Sequence, residues 1–306
     1  MSNQTSDNNK RIAKNTLLLY LRLILTMGVG LFTSRVVLNT LGVEDYGVYN
    51  VVGGVVAMFA LFTGSLSAAI SRFLTYELGK GNVHKLNVVF STSVTIQLVL
   101  AIVVSLLAEI GGVWFLNTHM NIPADRMNAA NWVLQFSILT FAINLVSVPY
   151  NAAIIAHEKM SAFAYISILE VILKLVVAYT LYVSPIDKLK TYAFLLALVA
   201  LIIRFVYSIY CSRNFEECHY KFVFDKSLLK QMTGFAGWNL LGSGAYLFNT
   251  QGVNIVTNLY FGVAVNAARG VASQAEGIIR QFVTNFTTAI NPQITKSYAA
   301  GDMNYM

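Results

Sequence analysis

Apolar residues run along this chain in long blocks separated by short polar turns. A helix that crosses a bilayer needs about 20 mainly apolar residues. Blocks of that kind fall at roughly 14–39, 48–76, 87–116, 127–156, 160–183, 189–211, 229–258 and 265–295. The pattern predicts an all-α integral membrane protein with about eight transmembrane helices. The seventh and eighth blocks are rich in Asn, Thr, Gln and Gly. They are kept as spans because such helices face a protein interior or a wet cavity rather than lipid.

The connectors carry turn residues and are too short for a soluble domain. Leu41 to Gly47 joins helices 1 and 2, Gly79 to Asn82 follows helix 2, Asn121-Ile122-Pro123 precedes helix 4, and Ser184-Pro185 follows helix 5. The predicted organisation is an N-terminal six-helix lobe over 1–211, an inter-lobe loop over 212–228, and the first two helices of an incomplete C-terminal lobe over 229–306. A shift of 220 positions sets Leu41-Gly42-Val43 on Phe261-Gly262-Val263, Phe62 on Phe282, Ala69-Ile70 on Ala289-Ile290 and Gly81 on Gly301. Helices 1 and 2 then correspond to helices 7 and 8, a parallel repeat of the sort transporters use. On that reading the second lobe stops after two helices.

Composition sharpens this picture. Of 306 residues, 56% are hydrophobic and 11% charged, against about 25% charged in an ordinary soluble domain. The net charge of +7 does not suggest a nucleic-acid partner, since the basic residues are scattered singly or in pairs. Their placement sets a topology. With the N-terminus inside, the inner segments hold eleven Lys or Arg (Lys10 and Lys159 among them), and the outer loops hold three, Arg126, Lys188 and Lys190. The N-terminus is expected to be cytoplasmic. The run from Leu17 lacks a small-residue cleavage site and reads as a retained first helix. Cys211, Cys218 and His219 fit no zinc spacing, so no metal is expected, and the two thiols are read as free in a polar loop. No P-loop and no nucleophile motif occurs, which predicts a protein that is not an enzyme and uses no cofactor.

Charges within the apolar blocks are the candidate functional groups, because each costs a few kcal/mol unless it meets a cavity or a partner. Seven are basic: Arg22, Arg35, Arg72, Lys174, Arg204, Arg269 and Arg280. Three are acidic: Glu109, Glu170 and Glu276. In helix 8, Asn266, Arg269, Ser273, Glu276, Arg280, Thr284, Thr287 and Asn291 fall in one stripe at 100° per residue. That stripe reads as the wall of an aqueous path or as an Arg–Glu–Arg network against another helix. Helix 7 presents Asn239, Ser243, Tyr246, Thr250, Asn254 and Thr257 on one face. Helix 4 presents Ser137, Asn144, Ser147 and Asn151, with a kink expected at Pro149. Glu170 and Lys174 are four apart in helix 5, a spacing for an ion pair. Either the two neutralise each other or they couple transport to a proton.

Leu41-Gly42-Val43-Glu44-Asp45-Tyr46-Gly47-Val48-Tyr49, Asn266-Ala267-Ala268-Arg269-Gly270 and Asn291-Pro292-Gln293-Ile294-Thr295-Lys296-Ser297-Tyr298-Ala299 resemble the O-antigen and polysaccharide flippase branch of the multidrug, oligosaccharidyl-lipid and polysaccharide exporter superfamily. The resemblance spans the whole chain. It implies two six-helix lobes around a cavity whose basic residues hold the diphosphate of an undecaprenyl-linked glycan. By helix position and motif, those residues would be Arg35, Arg72, Arg269 and Arg280. Asn239, Tyr246, Asn254, Asn266, Ser273 and Asn291 would line the cavity, and Glu276, Glu170 and Lys174 would serve coupling to H+ or Na+. The implied role is alternating-access flipping of an O-antigen or capsular repeat unit in the bacterial inner membrane. The partners would be the lipid-linked glycan and the bilayer, with no oligomeric state implied. A cation-coupled multidrug antiporter of the same superfamily is the alternative, and a membrane-embedded glycan polymerase or ligase a further one. Basic groups outnumber acidic ones seven to three within the spans, which favours an anionic cargo.

Overall fold

The computed structural model describes the backbone of residues 2–57, 60–120, 122–223 and 225–302, and the side chains within these except 2–9, 54–55, 57, 60–62, 240, 246–275 and 278. The described chain is helical: α1 (Ser2–Ala57), α2 (Ala60–Lys80), α3 (Val83–His119), α4 (Met127–Ala156), α5 (Met160–Val183), α6 (Lys188–Asn214), a 3-10 turn at Glu216–Cys218, and α7 (Lys226–Ala300). Both bounds of α4 and both bounds of α5 coincide with the sequence reading. The first connector does not. Only Gly42 leaves helical geometry, at φ 81° and ψ 168°, and the chain is helical again through 43–47. A glycine is needed there because a Cβ disfavours that region. A single residue therefore does the work expected of a seven-residue loop.

Among the described residues, five stretches are long and apolar enough to cross a bilayer: Lys10–Gly53, Val83–His119, Met127–Ala156, Met160–Val183 and Lys188–Asn214. α2 and α7 carry more Ser, Thr, Gly and charge, so their place in a membrane rests on packing against the others. α4 is the centre, touching α1, α2, α3, α5 and α6. Its Ala130, Ala152 and Ala153 are completely buried, and such small side chains let helices approach closely. Pro149 sits within α4, which continues through it from Met127 to Ala156.

The loops alternate between two ends. At one, Asp45, Arg126 and Asp187 meet. At the other, which collects Arg11, the 156–159 turn, the 215–221 loop and Lys296, Glu158 and Glu217 are the shared partners. This basic end and its opposite match the alternation read from the Lys and Arg counts.

The 75-residue α7 would be about 110 Å long if straight. Yet Phe235 lies 4.6 Å from the Arg72 guanidinium, while a Cβ on Gly79 would stand 2.7 Å from the Lys296 carbonyl oxygen. Arg72 and Gly79 are about 10 Å apart along α2. The stretch therefore folds back between Phe235 and Lys296, as two antiparallel spans would. The 220-residue repeat reappears in its details. Gly81 at φ 69° and Gly301 at φ 76° end α2 and α7 with the same pair of bonds, Gly81 N to Leu78 O and Asn82 N to Glu77 O, Gly301 N to Tyr298 O and Asp302 N to Ser297 O. Both are glycine caps in which crossed bonds satisfy the last carbonyls. Gly79 and Ala299 are also 220 apart, and a Cβ on Gly79 would lie 2.7 Å from that of Ala299. Equivalent positions touch, as they do beside a two-fold axis.

Gly79→Ala should therefore overpack the α2–α7 crossing and cost about 1–3 kcal/mol. Gly111→Ala on α3, where the added methyl meets open space, should be neutral or gain about 0.5–1 kcal/mol of helix propensity. Thermal unfolding of the two detergent-solubilised variants compares them directly.

Candidate functional site

Two polar features stand out from the apolar bundle. The first is a cavity of about 240 Å³ inside the first six helices. α5 supplies Glu170 and Lys174, α4 supplies Ser137, Thr140 and Asn144, and Tyr49 closes one side. The Lys174 ammonium donates to Glu170 Oε1 at 2.6 Å. The i, i+4 spacing thus forms the expected pair, and it lies against the helix 4 stripe. What sequence periodicity treated as two separate signals is one site.

The second feature is on α7. Arg280 donates to Glu276 at 2.8 Å, and both are exposed. Arg280, Thr284, Thr287 and Asn291 form an exposed polar strip. The buried positions of this segment are Asn285, Ala289, Pro292 and Gln293, centred on the opposite side of the helix wheel. Ala289 packs with Leu19 and Met160. Tyr20 and Phe282 meet at a 60° tilt with centroids 5.2 Å apart, and Arg22 reaches Asn285 Oδ1 at 3.5 Å. The polar strip therefore points away from the helices that α7 packs on, and its threonines are back-bonded to the helix itself, Thr284 to Arg280 O and Thr287 to Val283 O, each at 2.9 Å.

The remaining sequence candidates divide. Arg35 is exposed on α1. Arg72 is exposed on α2 with its guanidinium over the Phe235 ring. Arg204 stands 3.9 Å over the Tyr150 ring. Glu109 accepts from Gln135 at 2.8 Å. Asn239 is half-buried, its amide nitrogen without a hydrogen-bond partner among the described residues. Asn291 is exposed. The side chains of Arg269, Tyr246, Asn254, Asn266 and Ser273 lie outside the described residues.

Groups that periodicity does not reveal sit at the two ends. Arg126 donates to Asp45 Oδ1 at 2.6 Å, to Asp45 Oδ2 as well, and to Asp187 at 3.2 Å. One guanidinium so ties α1 just past its Gly42 break to the loops before α4 and α6, and the hydrogen bonds to Asp45 raise its pKa further. At the basic end, Glu158 is almost fully buried and accepts from Arg11, Gln293 and Lys296. Its neighbour His157 bonds Glu217 and stacks on Phe215 at 4.0 Å. Asn87 donates to the carbonyls of Glu217 and His219. This part of the predicted inter-lobe loop is thus held against α3 and the 156–159 turn. Cys211 lies buried in α6, not in a polar loop, and Cys218 is buried beside it. The bond with Cys211, then burial, push the Cys218 thiol far above its usual range. No sequence pattern singles out Glu158, and its backbone shows its role only in the structure. Ala156-His157-Glu158-Lys159 ends α4 without a glycine, although Glu158 has φ 59°.

The chain matches the family described as polysaccharide biosynthesis protein over residues 12–298. It is 20% identical over 286 residues to the uncharacterized membrane protein EpsK of Bacillus subtilis, covering 92% of this chain and 55% of that protein. The chain thus spans about half the length of that curated relative. Its fold is similar to a MATE crystal structure in the bent conformation, with TM-score 0.79, 13% identity, and coverage of 98% of this chain and 67% of the other. It is also similar to a MOP superfamily transporter from Pyrococcus furiosus, with TM-score 0.75, 13% identity, and coverage of 97% and 66%. A multi-pass membrane protein of transporter fold accounts for the helices, the internal repeat and the paired charges together.

The two faces of α7 make a direct test. Ala289→Leu should overpack the contact with Leu19 and Met160 and cost about 1–3 kcal/mol, seen as a lower melting temperature in detergent. Thr287→Leu, on the exposed strip, should leave the melting temperature within about 0.5 kcal/mol of the parent.

Proposed function

The chain belongs to the polysaccharide biosynthesis protein family, and on that premise we propose that it flips an undecaprenyl-diphosphate-linked oligosaccharide, an O-antigen or capsular repeat unit, across the bacterial inner membrane. The observation that carries this reading is the α7 strip, directed away from the packed helices and holding Arg280. A diphosphate cannot cross hydrocarbon unaided. Arginine offers delocalised charge and a forked set of donors matched to phosphate oxygens. Arg269, with Arg35 and Arg72, extends the basic set, and the hydroxyls and amides along α7 would contact sugars. No covalent bond changes, so the protein acts as a carrier. In this proposal residues 1–211 form the first lobe, 212–228 the inter-lobe segment and 229–306 the opening of the second, with the basic end in the cytoplasm.

A cation-coupled drug antiporter would need free acids in its cavities. Glu170 and Glu276 are each held by a basic residue one helical turn away, which favours the anionic cargo. The Glu170–Lys174 pair is the proposed coupling element, because protonating the carboxylate would release the ammonium into a polar cavity.

Losing one charge-assisted phosphate contact removes roughly 1.5–3 kcal/mol, about one to two orders of magnitude in affinity. In the full-length protein, Arg269→Ala and Arg280→Ala should sharply reduce surface glycan at normal protein abundance, with lysine rescuing in part. Export equal to the parent in both alanine variants would remove the anionic-cargo reading. Glu170→Gln should keep abundance and lose export if the pair couples transport. Lower abundance with proportionate export would make it a packing pair. For orientation, an impermeant thiol reagent on intact cells should label Ile186→Cys and not Lys85→Cys or Glu216→Cys, and the reverse pattern would invert the topology.

A further inference from the structure

The turn between α4 and α5 breaks a local rule. Glu158 N bonds Ile155 O and Lys159 N bonds Ile154 O, the same crossed pair that caps α2 at Gly81 and α7 at Gly301. In those two caps the left-handed position is glycine. Here it is a glutamate at φ 59°, where a Cβ is unfavourable. A strained backbone at a polar residue persists when the side chain is needed where it points.

It points into the interface between α1 and α7. The Glu158 side chain is 2% exposed. Arg11 Nε of α1 donates to Oε2 at 2.9 Å, Lys296 Nζ of α7 donates to Oε1 at 2.7 Å, and Gln293 Nε2 of α7 donates to Oε2 at 2.5 Å. The Glu158 carbonyl oxygen accepts from Asn15 of α1 at 3.4 Å. Both carboxylate oxygens are thus occupied by groups from two different helices, and the carboxylate sits in neither. Just beside it, Ala289 is completely buried between Leu19 and Met160, and Gly79 meets Ala299.

We propose that Glu158 is a clasp that holds the basic end of the protein shut, joining α1 to the last turns of α7. This rests on the alternating-access reading, and it adds the group that must let go when that end opens. Separating α7 from α1 there leaves the carboxylate buried without Gln293 and Lys296, or moves it with one partner. Removing the carboxylate therefore favours the state open at the basic end. The residues of the cargo strip are not involved.

Glycine separates the clasp from a merely structural ion pair, because Glu158→Gly relieves the backbone strain while deleting the carboxylate. The probe is Ala289→Cys in the full-length protein with Cys211→Ala and Cys218→Ala, labelled in native membranes with a soluble maleimide. The expected result is slow labelling with Glu158 present, and labelling at least tenfold faster with Glu158→Gly at equal or higher protein abundance. Lys296→Met and Glu158→Gln should fall between. Labelling within twofold of the parent in all three variants would overturn the clasp. So would failure of all three to accumulate, which would make the contact a folding requirement. Neither result touches the cargo proposal, which is read separately by surface glycan with Arg269→Ala and Arg280→Ala.

Discussion

Hydrocarbon offers no hydrogen-bond partner, and the helical architecture of this protein answers to that. Backbone groups must be satisfied within a segment, so the described chain is helix joined by short turns. The same rule governs side chains. Serine and threonine hydroxyls turn back onto their own helices, as Thr33, Thr75, Ser93 and Thr140 do. Charges acquire neighbours: Glu109 has Gln135, Glu170 has Lys174, Glu276 has Arg280, and Arg72 and Arg204 lie on aromatic faces. The price of burial is met locally wherever a partner lies one turn away or across one helix contact.

That economy makes the exceptions informative. The α7 strip keeps its polar groups on the face opposite the packed one, where the described helices leave it exposed. The cavity within the first six helices keeps an ion pair among hydroxyls and an amide. Both are places where polar groups have been retained although apolar ones would pack more cheaply. The proposed carrier of a charged headgroup would need such places.

The ends of the bundle show a different use of charge. Near water, pairs cost less to form, and one residue can hold several chain segments. Arg126 gathers Asp45 of α1 and the loop containing Asp187 at one end. Glu158 gathers α1 and α7 at the other, with His157 and Glu217 beside it. The described contacts between α7 and α1 lie around Leu19, Tyr20 and Arg22, and Glu158 from the α4–α5 turn bridges the two helices. The internal repeat accounts for part of this geometry, since Gly79 and Ala299 occupy equivalent positions and touch.

Hydrophobic block length by itself determined the class of protein, the bounds of α4 and α5, and the alternation of loops, because a bilayer fixes how many apolar residues a span requires. Helical periodicity determined the Glu170–Lys174 and Glu276–Arg280 pairs, since partners four apart on one helix must be neighbours. The three peptide motifs and the match over 12–298 agree on the family. Tertiary structure alone decided that Ser137 and Asn144 share a cavity with Glu170, that Arg204 packs on Tyr150, that Gly42 alone breaks α1, and that Cys211 is buried in a helix. It alone brought Arg11, Glu158, Gln293 and Lys296 together. Those contacts join residues more than a hundred positions apart, and no periodicity within one helix carries information about which helix lies beside it.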